Sequence, residues 1–165
     1  MEKAVINKIN RIRKTVSKKF KYLNLLDPRI AFPQNRFVMY TRGRTGSTLL
    51  TDLINCHPDI YCDVEIFNFM YSNGIVKFPL KYADSCSKRA TINKKSAYGF
   101  KVKISQVKDE HKYKDYGNIL TELNRNGWKF IYLKRENSIS HMISNLMAAE
   151  TNIYHLKNNE ERYRR

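Results

Sequence analysis

Cysteine is scarce: Cys56, Cys62 and Cys86 are the only three, an odd number with no CxxC pair. That excludes a disulfide framework of the secreted kind and offers no zinc-binding spacing, so the chain reads as a reduced, intracellular and cytoplasmic protein. Long apolar runs are missing as well. None approaches the roughly 18 residues of a membrane span, and the N-terminus lacks a signal peptide's apolar core. Acidic residues are few: 15 Asp and Glu stand against 31 Lys and Arg, a formal charge of +16. This balance favours an anionic partner, whether nucleotide, sulfated or phosphorylated acceptor, nucleic acid or membrane surface, without choosing among them. What is present is a globular composition, 42% hydrophobic and 28% charged over 165 residues. That length suits one domain able to bury about two thirds of its unfolded surface.

The chain centres on TRGRTGSTLL at 41–50. It follows RFVMY at 36–40, short enough for a buried strand, and leads into 49–54, whose apolar spacing suits a helix. Strand, tight loop, helix is the predicted arrangement. Gly43 and Gly46 let the loop turn sharply and leave room for a ligand. Ser47 and Thr48 open the helix, whose unpaired N–H groups and positive dipole end form an anion site, and Arg42 and Arg44 add charge to it. A phosphate or sulfate cradle is the expectation; a polar turn that binds nothing is the bland alternative. The triphosphate pattern GxxxxGK[ST] does not fit, because Ser47 rather than Lys follows Gly46 and Arg44 precedes that glycine by two positions.

Before the loop, Val5, Ile9, Ile12, Val16, Phe20 and Leu23 recur at steps of three and four among Lys and Arg, so residues 1–26 predict a basic amphipathic helix. Six apolar positions at about 1.5 to 3 kcal/mol each when buried outweigh screened surface charge. The helix should therefore cover the domain or a second subunit, which makes a homodimer one expectation. Residues 27–35, with Pro28 and Pro33, read as a linker.

After the loop, a helix over 46–56 closes at His57 and Pro58. His57 is expected to cap its last carbonyls rather than act as a base. Residues 60–63 form a second strand, and Glu65 follows it near the carboxyl edge of a parallel sheet, where ligands of open α/β folds collect. Glu65 is the candidate general base, Asp63 its rival, and an ordinary exposed carboxylate the alternative. Residues 66–96 are aromatic and basic without a sustained period, and read as loop and short helix, the place for acceptor recognition. At 97–104, AYGFKVKI alternates Tyr98, Phe100, Val102 and Ile104 against Lys101 and Lys103, a third strand whose lysines, at a strand end near the loop, could reach a sulfuryl group, which makes Lys101 a candidate catalytic residue, with solvation as the simpler account. Residues 118–126 suggest a short helix ended by Gly127, WKFIYL at 128–133 a fourth strand, and 138–150 a helix with Ser138 as N-cap.

Three strings carry a resemblance. RTGSTLL at 44–50 resembles the 5′-phosphosulfate loop of sulfotransferases that use 3′-phosphoadenosine 5′-phosphosulfate (PAPS), particularly the bacterial carbohydrate type with its R-x-G-S-T-L-L pattern. HPDIYCDVE at 57–65 is similar to that family's HPxxxxxxE string. KRENSISHMISNLMA at 134–148 resembles its 3′-phosphate motif in the R-E-N form, with Arg135 and Ser144 nine apart. The resemblance spans about 36–150 and implies a P-loop-like three-layer α/β/α domain with a parallel sheet of about four strands, preceded by the basic amphipathic helix and followed by a basic tail, 151–165. It implies an enzyme that transfers a sulfuryl group from PAPS to a hydroxyl or amine of an acceptor such as a carbohydrate, with no metal and no nucleic-acid partner. Arg42, Gly43, Arg44, Thr45, Gly46, Ser47 and Thr48 would hold the phosphosulfate, and Arg135 and Ser144 the 3′-phosphate. Glu65 would take the acceptor's proton, with Arg44 stabilising the charge that develops on the leaving phosphate. Family domains generally continue past the 3′-phosphate helix, so the chain reads as a compact or truncated member. The other readings are a PAPS- or nucleotide-binding protein without catalysis, a P-loop nucleotide kinase, and a nucleic-acid or membrane-binding module, which explains the charge but not two arginine-bearing loops.

Overall fold

A computed structural model of the chain describes residues 22–72, 74–103 and 105–151. Most of the helix expected over 1–26 lies outside the described residues, as do Ile104 and the tail from 152 onward. Within the described part of that range, a four-residue helix, α1, spans Leu23–Leu26, with Tyr22 as its N-cap.

Four strands follow: β1, Asn35–Thr41; β2, Ile60–Glu65; β3, Ala97–Val102; and β4, Lys129–Leu133. All neighbours pair in parallel, in the order β2-β3-β1-β4. Parallel neighbours cannot be joined by a hairpin, so longer crossovers separate them. These carry α2, Ser47–Asn55; α3, Pro79–Ile92; a π-helical turn, Gln106–Glu110; and α4, Ile119–Arg125. Helix α5, Ser138–Thr151, follows β4. The protein has an α/β fold with a four-stranded, all-parallel sheet.

Strand β3 has buried neighbours on both faces, which is why its sequence is apolar or tightly packed nearly throughout. Tyr98, Phe100 and Val102 join Tyr82, Ala83, Cys86 and Ala90 of α3 and Ile119 and Leu123 of α4 in one core. Trp128 packs edge-on against both Tyr98 and Phe100. The opposite face of β3 carries Gly99 and Lys101. The Phe37 ring lies over Gly99 so closely that a Cβ there would come within 2.1 Å of it. Lys101 reaches Thr48 at the start of α2, so α2 covers the face that α3 and α4 do not.

At the amino end of the sheet, Arg36 donates to Asp84 at 2.8 Å and to the Asn126 carbonyl, while its guanidinium lies 5.0 Å from the rings of both Phe32 and Trp128. Trp128 Nε1 also donates to Asp84, at 3.3 Å. Burial pushes the Asp84 carboxyl above its ordinary value, and Arg36 and Trp128 offset only part of that. This clasp joins β1, α3 and the approach to β4.

Four expectations need correction. Residues 79–92 form a continuous helix of 14 residues rather than loop and short helix. Its sheet-facing side is built from Ala83, Cys86, Ser87 and Ala90, small residues that pack closely but give no strong apolar period. Glu65 is the last residue of β2 instead of lying past it. The cap of α5 is Asn137, whose Oδ1 accepts the Ser140 N–H at 2.9 Å, and Ser138 is the first helical residue. The His57 ring caps no carbonyl: its Nδ1 accepts the Asp59 N–H, and its backbone N–H serves Ile54 instead. It stands before β2, at the sheet's other end from the loop.

Helix α5 and β4 are thinly covered. Ile139, Met142, Ile143 and Leu146 are exposed, as are Phe130, Ile131 and Tyr132 on the strand. Among the described residues, β4 pairs only with β1, and no helix is long and apolar enough to cross a membrane.

Candidate functional site

Strand β1 is central, so the loop that leaves it emerges mid-sheet at the carboxyl edge, where crossovers diverge and leave a crevice. Two residues there take left-handed backbone: Arg44 at φ 63° and Gly46 at φ 82°. A non-glycine residue in that region is uncommon and costs about 1 to 2 kcal/mol, so the contacts around Arg44 must hold it there. They do so from across the chain. Arg44 Nε donates to Ser144 Oγ at 3.0 Å, Arg135 lies 3.5 Å from the Arg44 carbonyl oxygen, and His141 Nε2 donates to the Gly43 carbonyl at 2.6 Å. Inside the loop, Thr45 donates to the Arg42 carbonyl and shares a hydrogen bond with the buried Thr41 hydroxyl. Gly46 caps α2, whose start has no side-chain cap and no acidic residue in its first turn. The leading N–H groups of α2 thus meet no competing carboxylate, which suits an anion.

A polar cleft flanks this loop on one side and a buried ion-paired cluster on the other. Toward β4 lies a cleft of about 220 Å³, lined by Arg42 and Thr45 of the loop, Tyr132, Leu133, Lys134 and Arg135 at the end of β4, and Ser138 and His141 of α5. Three of these side chains are cationic. The Tyr132 ring stacks on Tyr40 with centroids 5.7 Å apart, which braces this wall.

Toward β2 lies Glu65, buried at 9% exposure. Its Oε1 meets Lys103 at 3.0 Å and Lys101 at 3.2 Å, and its Oε2 accepts a hydrogen bond from Gln106 Nε2. Burial works to raise the Glu65 carboxyl, yet the two ammonium groups prevail and hold it below its ordinary value. Lys101 also donates to Thr48 Oγ1 at 3.4 Å, linking this carboxylate to the start of α2. The expectation that Lys101 is solvated is therefore corrected: it is 3% exposed, because the alternate face of β3 is covered by α2 rather than by water. Asp63 turns to the other face, where it accepts from Arg89 at 2.9 Å and from the Tyr98 hydroxyl at 2.7 Å. It is absorbed in packing and does not approach the loop.

The fold thus gathers Arg42, Gly43, Arg44, Thr45, Gly46, Ser47, Thr48, Lys101, Glu65, Arg135 and Ser144 along the carboxyl edge of the sheet. Ser144 supports Arg44, whereas the residues that share the cleft with Arg135 are Ser138 and His141. Sequence reasoning gave no role to His141, Gln106 and Thr41, and favoured solvent for Lys103. Ser138, His141 and Ser144 recur at steps of three, one face of a helix, and that spacing was a usable signal. Lys103 shares the period-two face of Lys101. Nothing local marks Gln106 or Thr41.

The arrangement can hold an elongated polyanion across the loop, with a carboxylate in a cationic cage at one end and a three-cation cleft at the other. Compared with known proteins, the chain matches no family model, no curated protein and no solved structure.

Proposed function

We propose that the protein is a PAPS-dependent sulfotransferase with a P-loop-like core, acting on an acceptor hydroxyl or amine. The observation that carries this reading is the meeting of the two arginine-bearing motifs: Arg44 with Ser144, and Arg135 with the Arg44 carbonyl, though they lie far apart in the chain. A donor with phosphate at both ends of its ribose suits two adjoining anion sites. In this reading the N–H groups from Gly43 to Thr48 and the Arg44 side chain hold the 5′-phosphosulfate and stabilise charge on the leaving phosphate. Arg135, with Ser138 and His141 beside it, takes the 3′-phosphate, since a guanidinium offers two parallel donors to it. Glu65 stands at the opposite end, toward the acceptor.

The absence of Lys after Gly46 weighs against a triphosphate ligand, so the nucleotide kinase reading ranks lower. A nucleotide-binding protein without turnover is favoured by one observation, the enclosure of both Glu65 oxygens by Lys101, Lys103 and Gln106.

The test is calorimetric titration with 3′,5′-bisphosphoadenosine and, separately, ATP with magnesium. Metal-independent binding of the bisphosphate is expected. Arg135→Ala should weaken it by about one to two orders, the loss of charge-assisted bonds of about 1.5 to 3 kcal/mol. Preference for magnesium-ATP, or binding of neither nucleotide, would overturn the reading.

A further inference from the structure

The Glu65 cage has a feature that a purely structural ion pair does not need. Its most deeply buried cation, Lys101, touches two things: the carboxylate at 3.2 Å and the hydroxyl of Thr48 at 3.4 Å, beside the anion-ready start of α2. Lys103 meets the same carboxylate oxygen at 3.0 Å from a half-exposed position. Gln106 donates to the other oxygen, and its own Oε1 accepts the Lys103 N–H at 3.3 Å, so the π-helical turn fixes that side of the cage. π-helical turns of this kind are frequent at functional sites. From α2 the uncharged Thr48 meets Lys101, from β2 the buried Cys62 thiol lies within electrostatic reach of it but is pushed up to about 12 by burial and stays neutral, and Asp63 is spent on Arg89 and Tyr98 across the sheet.

We infer that Lys101 is a two-position contact: a sulfuryl group arriving beside Thr48 draws its ammonium from Glu65, so that Glu65 can take the acceptor's proton only when the donor is in place. The inference rests on the sulfotransferase reading. A carboxylate between two ammonium groups is a poor base, because both stabilise its charged form. A base works best when its affinity for protons matches the ambient pH. An anionic donor competes for the cation that already touches its binding loop, and Lys103 with Gln106 keeps Glu65 in position meanwhile. The acceptor oxygen then bonds to sulfur as the bond from sulfur to the 5′-phosphate oxygen breaks. The electron pair leaves on the phosphate, and the acceptor's proton goes to Glu65. Lys101 acts here as a positioning residue for the base and as a contact to the transferring group.

The experiment follows the Glu65 side-chain carboxyl by carbon-13 NMR through a pH titration, free and saturated with PAPS in the absence of acceptor, in wild type and in Lys101→Met. In wild type the protonation midpoint should rise on donor binding by about one unit or more, the size of effect of one close opposite charge. In Lys101→Met the midpoint should start higher and move less than half as far. Equal movement in the two proteins would overturn the inference, as would an unmoved wild-type midpoint with donor bound by calorimetry. The wild-type comparison stands by itself should the variant fail to fold. Failure of wild type to bind PAPS at all would instead sink the sulfotransferase reading, and this inference with it.

Discussion

Gly43 and Gly46 stand three residues apart in one loop, yet they answer to different constraints. Each faces open space where a Cβ would go, so neither is required for room in the unliganded protein. Only Gly46 has positive φ, at 82°. Gly46→Ala should therefore destabilise the fold by about 1 to 2 kcal/mol, the cost of left-handed backbone for an L-residue. Gly43→Ala should stay within about 0.5 kcal/mol of wild type. Urea unfolding of both variants measures this, and equal losses would show that the distinction is not one of backbone strain. Arg44 shares the left-handed region without glycine's freedom. Its position is held by Ser144, and its neighbour Gly43 by His141. Strain of that kind collects where a protein must present groups to a ligand.

The elements differ in how far their sequences announce them. Strands β1 and β4 were legible because four apolar or aromatic residues in a row, FVMY and FIYL, have few other places to go than a sheet, and β3 because Tyr98, Phe100 and Val102 recur with period two. The turn between β1 and α2 was legible because Gly43 and Gly46 stand between an apolar run and a helical period. Helix α3 was not legible, and Lys88 shows why. It is buried, with its ammonium donating to the Asp27 carbonyl and lying 5.1 Å from the Phe32 ring, so a charged residue occupies a covered position that pattern reading assigns to solvent. Lys101 was misread for the same reason, since its partner Glu65 belongs to another strand and no local period reveals the pairing. The clasp at the base of α3 shows what such pairings contribute. Asp84→Ala would leave the Arg36 guanidinium partly buried without its carboxylate and take a partner from Trp128 Nε1. A loss of about 3 kcal/mol is expected. Thermal or urea unfolding checks it, and a change below about 1 kcal/mol would mean that solvent already serves Arg36.

At the scale of the whole molecule, the sheet is guarded unevenly. Strand β2 ends in charged and paired residues, whereas β4 presents Phe130, Ile131 and Tyr132 beside an edge that no other described strand pairs with. Apolar, unpaired edges template association, and a charge on such a strand discourages it. Ile131→Lys should lower concentration-dependent association measured by sedimentation or light scattering, while leaving thermal unfolding nearly unchanged. Association that is indifferent to this substitution would place the sticky surface elsewhere. Helix α5 beside this edge buries only Ala148, and its polar ties run to the loop through His141 to Gly43 and Ser144 to Arg44. A helix fastened chiefly to one loop shares that loop's fate. Under the proposed function, the donor held in the cradle then acts as a folding reagent for α5, contributing its own binding free energy to the order of that helix. Occupancy and architecture would then be a single equilibrium, and the empty protein and the filled one would differ in how firmly α5 is held.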